Sequence, residues 1–183
     1  MSKYLISAGH GAGDPGNTAS GRREADIAVE LRNIIAHKLR AAGHDVTTDG
    51  GLRENWGLID AVKLIVSGRT SIEIHTNAGK PDAKGVEVIA LRGHADLAKR
   101  IAKGIAGVLG TTLRREAGFF DYDRWVAERK AAKATNQTLG FVRRGGIIVE
   151  AFFQSNAAEL AAYDAKKWLV AQAIVDALEG KGA

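Results

Sequence analysis

Tyr4-Leu5-Ile6-Ser7-Ala8-Gly9-His10-Gly11 stands at the head of the chain, and its reading sets the fold. The apolar Tyr4-Leu5-Ile6 predicts a short buried strand that stops at Gly9-His10. Glycines with Pro15 and Asn17 make residues 11–21 a loop. Ile27, Ala28, Leu31, Ile34, Ile35, Leu39 and Ala42 then recur at helical spacing. Gly43 ends that helix, since glycine enters left-handed backbone at little cost.

The same alternation continues. Residues 44–48 predict a strand and residues 56–66 a shorter helix, with Leu58, Ile59, Val62, Ile65 and Val66 on one face. Residues 71–75 and 85–91 predict strands, and residues 95–109 a helix. Residues 110–140 are the least readable: 119–122 form an aromatic loop and 123–134 an exposed helix. Residues 146–149 predict an apolar strand with Glu150 at its end. Asn156 and Glu159 resemble a capping box opening a last helix, whose apolar positions include Leu160, Trp168, Leu169, Ile174 and Leu178. Strands alternating with helices imply one α/β domain over residues 1–183, a mostly parallel sheet covered on both faces.

A chain of 183 residues can bury a core without staples, and it has no cysteine. That excludes disulfides, thiolate-bound metal and thiol catalysis. The first residues lack the apolar core of a signal peptide, and no run reaches the roughly 20 residues of a membrane helix. The expectation is synthesis in the cytoplasm and no stable membrane insertion. A formal charge of +5 favours anionic surroundings. Basic residues are dispersed, so a dedicated nucleic-acid tail is absent and no nucleic-acid partner is expected.

His10, His75 and Glu150 each close a different predicted strand, and Glu24 opens the first helix. In open α/β sheets, ligands bind beyond the carboxyl ends of strands. Two histidines and one glutamate are a ligand set for catalytic zinc, which keeps one position open for water. A second carboxylate outside the metal shell then moves protons. Glu150, following Ile147-Ile148-Val149, takes that role because desolvation raises a carboxyl pKa. Singly, each residue has a plainer reading: a turn histidine, a helix-dipole acid, a strand-end histidine, or an acid paired with Arg143 or Arg144. The joint pattern favours metal. His37 and His44 read as structural, and His94 as a marginal candidate for the site.

These motifs resemble the zinc-dependent N-acetylmuramoyl-L-alanine amidases of peptidoglycan turnover and phage lysis. The segment around His10, the helix start at Glu24, the stretch Ile72–Asn77 around His75, and the closing segment through Glu150, Ser155, Asn156 and Glu159 are similar to the family's four motifs, in order. The resemblance implies a mixed, largely parallel sheet and one zinc ion on His10, Glu24 and His75. It also implies Glu150 as catalytic acid–base and peptidoglycan as substrate. Ser7-Ala8 replaces the family's Asp-Pro, and Glu73 stands where a serine is usual. The segment 52–70 is shorter than expected. With no export signal read, the chain looks most like an endolysin of a phage of a Gram-negative host, monomeric and released through a holin. The alternatives are a zinc amidohydrolase of small N-acyl amino acids and a non-catalytic wall-binding module.

Overall fold

The computed structural model describes residues 1–181. Among the described residues, six strands and six α-helices follow in the order β1 Lys3–Ala8, α1 Glu24–Ala41, β2 Asp45–Thr48, α2 Leu58–Lys63, β3 Thr70–Asn77, β4 Glu87–Ala90, α3 Ala95–Leu109, β5 Phe119–Asp121, α4 Tyr122–Ala131, α5 Gly140–Arg143, β6 Ile147–Phe153 and α6 Ala157–Leu178. They form one α/β domain around a single sheet of order β2-β1-β3-β6-β4-β5. β2, β1, β3 and β6 run parallel. β4 is antiparallel to β6, and β5 is parallel to β4. The sheet is therefore mixed and mostly parallel.

Side chains alternate between the two faces of a strand, and the faces are covered unequally. Tyr4, Ile6, Ile72, Ile74, Val88, Ile147 and Val149 join the main core with α1, α3 and α6. Leu5, Ile89, Phe120 and Ile148 lie in a smaller cluster with Tyr122, Phe141 and Val142. At roughly 25 cal/mol per Å² of apolar area, the first face supplies most of the hydrophobic stabilisation. The second face carries only short helices and so leaves room for a groove.

Four local expectations are corrected. The helix at 56–66 shrinks to α2, which buries only Ala61. Leu58 and Ile59 are 49% and 79% exposed, because two turns packed on α5 shield few side chains. Residues 119–121 are not loop but an edge strand, with Phe119 and Phe120 both buried by pairing with β4. On α6, Trp168 and Leu169 are 57% and 58% exposed, so its inward stripe runs through Val170, Ala171, Ile174 and Val175 instead. Asn156 does cap α6, accepting from Ala158 N and Glu159 N. Glu159, however, accepts from Phe153 N and Gly85 N and so fixes the end of β6.

A buried ion pair pins the other side of the sheet. Arg32 and Asp49, both without solvent exposure, meet at 2.9 Å. Asp49 also accepts from Ser7 Oγ and Ala8 N, which holds the last residues of β1. Arg32 donates to the carbonyls of Gly51 and Glu54, so its remaining donors are satisfied. Buried charge survives only with such complete pairing.

Candidate metal centre and active site

β1, β3 and β6 end at one rim, and that rim is where the four residues meet. His75 and Glu150 do not close their strands. Both lie inside them, directly paired across β3 and β6, with a register shift just beyond. His10 follows β1 in left-handed backbone, φ 66°, a conformation costly for a side chain other than glycine. Asn55 holds it there, its Nδ2 donating to the carbonyls of Ala8, Gly9 and His10 at 2.9–3.0 Å. Glu24 begins α1, so its carboxylate projects from the helix N-terminus into the rim.

Glu24 is the hub. Its Oε2 lies 3.1 Å from His10 Nε2, and its Oε1 lies 3.0 Å from His75 Nδ1. Thr76 N and Asn17 N donate to it as well. The two imidazole centroids are 5.0 Å apart at 72°. One donor atom from each of His10, Glu24 and His75 falls within 4.8 Å of the others. Each ring's other nitrogen meets a carboxylate: His10 Nδ1 meets Asp14 at 2.9 Å, and His75 Nε2 meets Glu73 at 3.2 Å. Such outer carboxylates fix the tautomer of a metal-binding histidine.

Glycines make room for both rings. A Cβ on Gly9 would lie 2.2–2.5 Å from three atoms of the His75 ring, and one on Gly16 would lie 2.6 Å from His10 Cδ2. The set fits a divalent cation on two grounds: its donors are two nitrogens and a carboxylate, and its backbone is hollowed around the rings.

The electrostatics agree with that fit. Burial works against ionising Glu24, yet hydrogen bonds with His10 and His75 outweigh it and hold the carboxyl well below the usual range. The bond to Glu24 raises the pKa of His10. Burial would lower that of His75, but Glu24 and Glu73 raise it well above normal. Both rings thus sit where positive charge is favoured. Glu150 behaves oppositely. Desolvation, reinforced by Glu24 and Glu87 and partly offset by His75, pushes it up to about 7. Its Oε2 is buried without a hydrogen-bond partner, and among the described residues it pairs with neither Arg143 nor Arg144.

Two hollows of about 680 and 630 Å³ meet at this centre, sharing His10, His75, Glu150, Asn136 and Leu139. Together they form a partly open groove on the thinly covered face. His37 is exposed on α1, and His44 bonds Glu179. His94 caps α3 after β4, whose reversed direction carries it to the opposite rim. For the same reason Glu87, at the start of β4, arrives beside Glu150.

The sequence matches the family model described as N-acetylmuramoyl-L-alanine amidase over residues 5–180. The chain belongs to this family. It is a hydrolase, an N-acetylmuramoyl-L-alanine amidase acting on cell-wall peptidoglycan. A Neisseria meningitidis protein assigned as an N-acetylmuramoyl-L-alanine amidase is 36% identical, with 97% of this chain and 94% of that one covered, at a TM-score of 0.83. The catalytic domain of the amidase CwlV from Paenibacillus polymyxa shares the fold at 22% identity, with 98% and 97% covered and a TM-score of 0.79. So does the catalytic domain of the CD27L endolysin targeting Clostridia difficile, at 18% identity, 100% and 99% covered, and 0.74. A comparison with curated proteins found no match. Among the described residues, no helix is long and apolar enough to cross a membrane.

Asp14, Asn55 and Glu87 were not singled out by the sequence as parts of the site, and Glu73 was noted only as a departure from the family pattern. Strand periodicity could have found Glu73, two residues before His75 and on the same face. Asp14 lies four residues beyond His10, within the loop. Nothing local points to Asn55 or Glu87, which arrive through tertiary packing.

Proposed function

We propose that this amidase cleaves the amide between the lactyl group of N-acetylmuramic acid and L-alanine with one zinc ion per chain, held by His10 Nε2, Glu24 and His75 Nδ1. Bound there, zinc supplies Lewis acidity to the attacking water and the scissile carbonyl. Glu150 takes the water's proton and passes it to the alanine nitrogen as the C–N bond breaks. The water oxygen ends in the lactyl carboxylate, and the freed amine leaves protonated. A carboxyl near 7 is suited to both halves of that transfer. Asp14 and Glu73 keep the two imidazoles aimed at the shared point.

The observation that carries this reading is convergence: three donors within 4.8 Å of one another, beside an unpartnered Glu150 oxygen, midway along an open groove. The groove favours a polymer over small N-acyl amino acids, which call for a closed pocket. Digestion of defined peptidoglycan, read by mass spectrometry, tests the bond. A new alanine amine with a freed lactyl carboxylate is expected, together with loss on chelation and recovery with zinc. Glu150→Gln should keep the metal and lose about 10²–10⁴-fold in rate. New ends at any other bond overturn the reading, and wall binding without cleavage or stoichiometric zinc, unchanged by Glu150→Gln, returns the chain to a binding module.

For biological role, the reading is a monomeric endolysin, with residues 1–183 as its catalytic domain, reaching the wall of a Gram-negative host through a holin. Its charge of +5 supports contact with an anionic envelope. Co-expression with a holin should lyse cells that neither gene lyses alone, and intact cells would refute it.

A further inference from the structure

One wall of the groove carries an arginine whose outer edge is free. Arg114 follows Leu113, which bridges Val86 just before β4, and its backbone N donates to the Val86 carbonyl at 3.0 Å. Its Nε donates to Glu87 Oε2 at 3.3 Å. Its guanidinium lies 4.8 Å from the centroid of the Phe153 ring. A Cβ on Gly85, at φ 111°, would lie 2.9 Å from Arg114 Cγ, so glycine there leaves its path open. The side chain is 35% exposed and lines the same hollow as His75 and Glu150. Among the described residues, its two Nη atoms have no partner. Neighbouring Arg115 differs, being held by Glu87 and Glu128 together.

Such a guanidinium, oriented by a carboxylate at one edge and a ring on one face, is a preformed fork for a carboxylate. Register places its partner Glu87 beside the centre. Glu87 is paired directly with Glu150 across β4 and β6, roughly 5 Å between Cα atoms. Arg114 is one hydrogen bond from Glu87 and lines the same hollow as Glu150. In a stem peptide, the residue after L-alanine is γ-linked glutamate, which leaves its α-carboxylate unbonded. An extended peptide puts that group about 7 Å beyond the scissile amide.

We propose that Arg114 forms a carboxylate subsite for the second residue of the stem peptide, making the enzyme selective for free glutamate over its α-amide. The inference rests on the amidase reading above. A neutral amide at that position keeps one acceptor oxygen but loses the charge and the second acceptor, and turns N–H donors toward a group that has only donors, so the free acid is the better match.

The test uses polymeric peptidoglycan carrying D-isoglutamate at the second stem position and the same polymer carrying D-isoglutamine, digested by the zinc-loaded full chain. Wild type should favour the free acid by about 10- to 100-fold in kcat/KM, mainly through KM. Arg114→Gln should bring that ratio near one, and Arg114→Lys should keep part of it. Each ratio is taken within one protein, so a partly unfolded variant does not alter it. Equal rates with wild type, or a preference that survives Arg114→Gln, overturns the subsite. Failure to cut either polymer sinks the amidase reading itself.

Discussion

Replacing Glu150 with glutamine should stabilise the metal-stripped protein, and only above acidic pH. Desolvation first, then the charges of Glu24 and Glu87, place the carboxyl at about 7 against an ordinary 4.5, with His75 partly offsetting them. Each pH unit of displacement is worth about 1.4 kcal/mol, so ionised Glu150 costs the fold about 3 kcal/mol. The folded pKa is raised, so the group's contribution is intact below pH 4.5 and is lost as pH rises through 7. Glutamine keeps the shape and cannot ionise. The stability difference between variant and wild type should be near zero at pH 4.5, grow through pH 7, and level off near 3 kcal/mol by pH 8. Urea unfolding in chelator across that range measures it. A difference that is absent at pH 8, or equal at every pH, would refute the desolvation argument.

Other outcomes follow from the same geometry. Glu73→Gln should weaken zinc binding about 10- to 100-fold in a competition titration, because a neutral amide is a weaker, less specific partner for His75 Nε2 than the carboxylate that fixes its tautomer; unchanged affinity would deny Glu73 that part. Gly9→Ala should abolish zinc uptake in elemental analysis, since its Cβ enters the space of the His75 ring. Asp49→Ala leaves the Arg32 charge buried without its partner and should cost about 3–5 kcal/mol in urea unfolding. Zinc must displace protons that Glu24 and Glu73 hold on the rings, so affinity should fall as pH drops and calorimetry should show proton release on binding.

What the sequence discloses depends on how local the cause is. α1, α3 and β1 are legible because their apolar spacing is long and matches the face they bury. The four central residues are legible because each follows a buried apolar run or opens a helix, although His75 and Glu150 prove to lie within their strands rather than at their ends. β5 is opaque, because three residues owe their strand state wholly to pairing with β4. Trp168 and Leu169 mislead because α6 is apolar on more sides than it buries. Glu87 and Arg114 belong to the groove through the reversal of β4, which no spacing in the chain announces. The family resemblance pointed to a mixed sheet, but which strand turns back is visible only in the fold.

The central claim is that His10, Glu24 and His75 hold one ion between them. Crystals of the zinc-loaded protein, recorded on both sides of the zinc absorption edge, test it directly. A single strong anomalous peak per chain is expected at the point shared by His10 Nε2, a Glu24 oxygen and His75 Nδ1. A peak elsewhere, or none between these three groups, would contradict it.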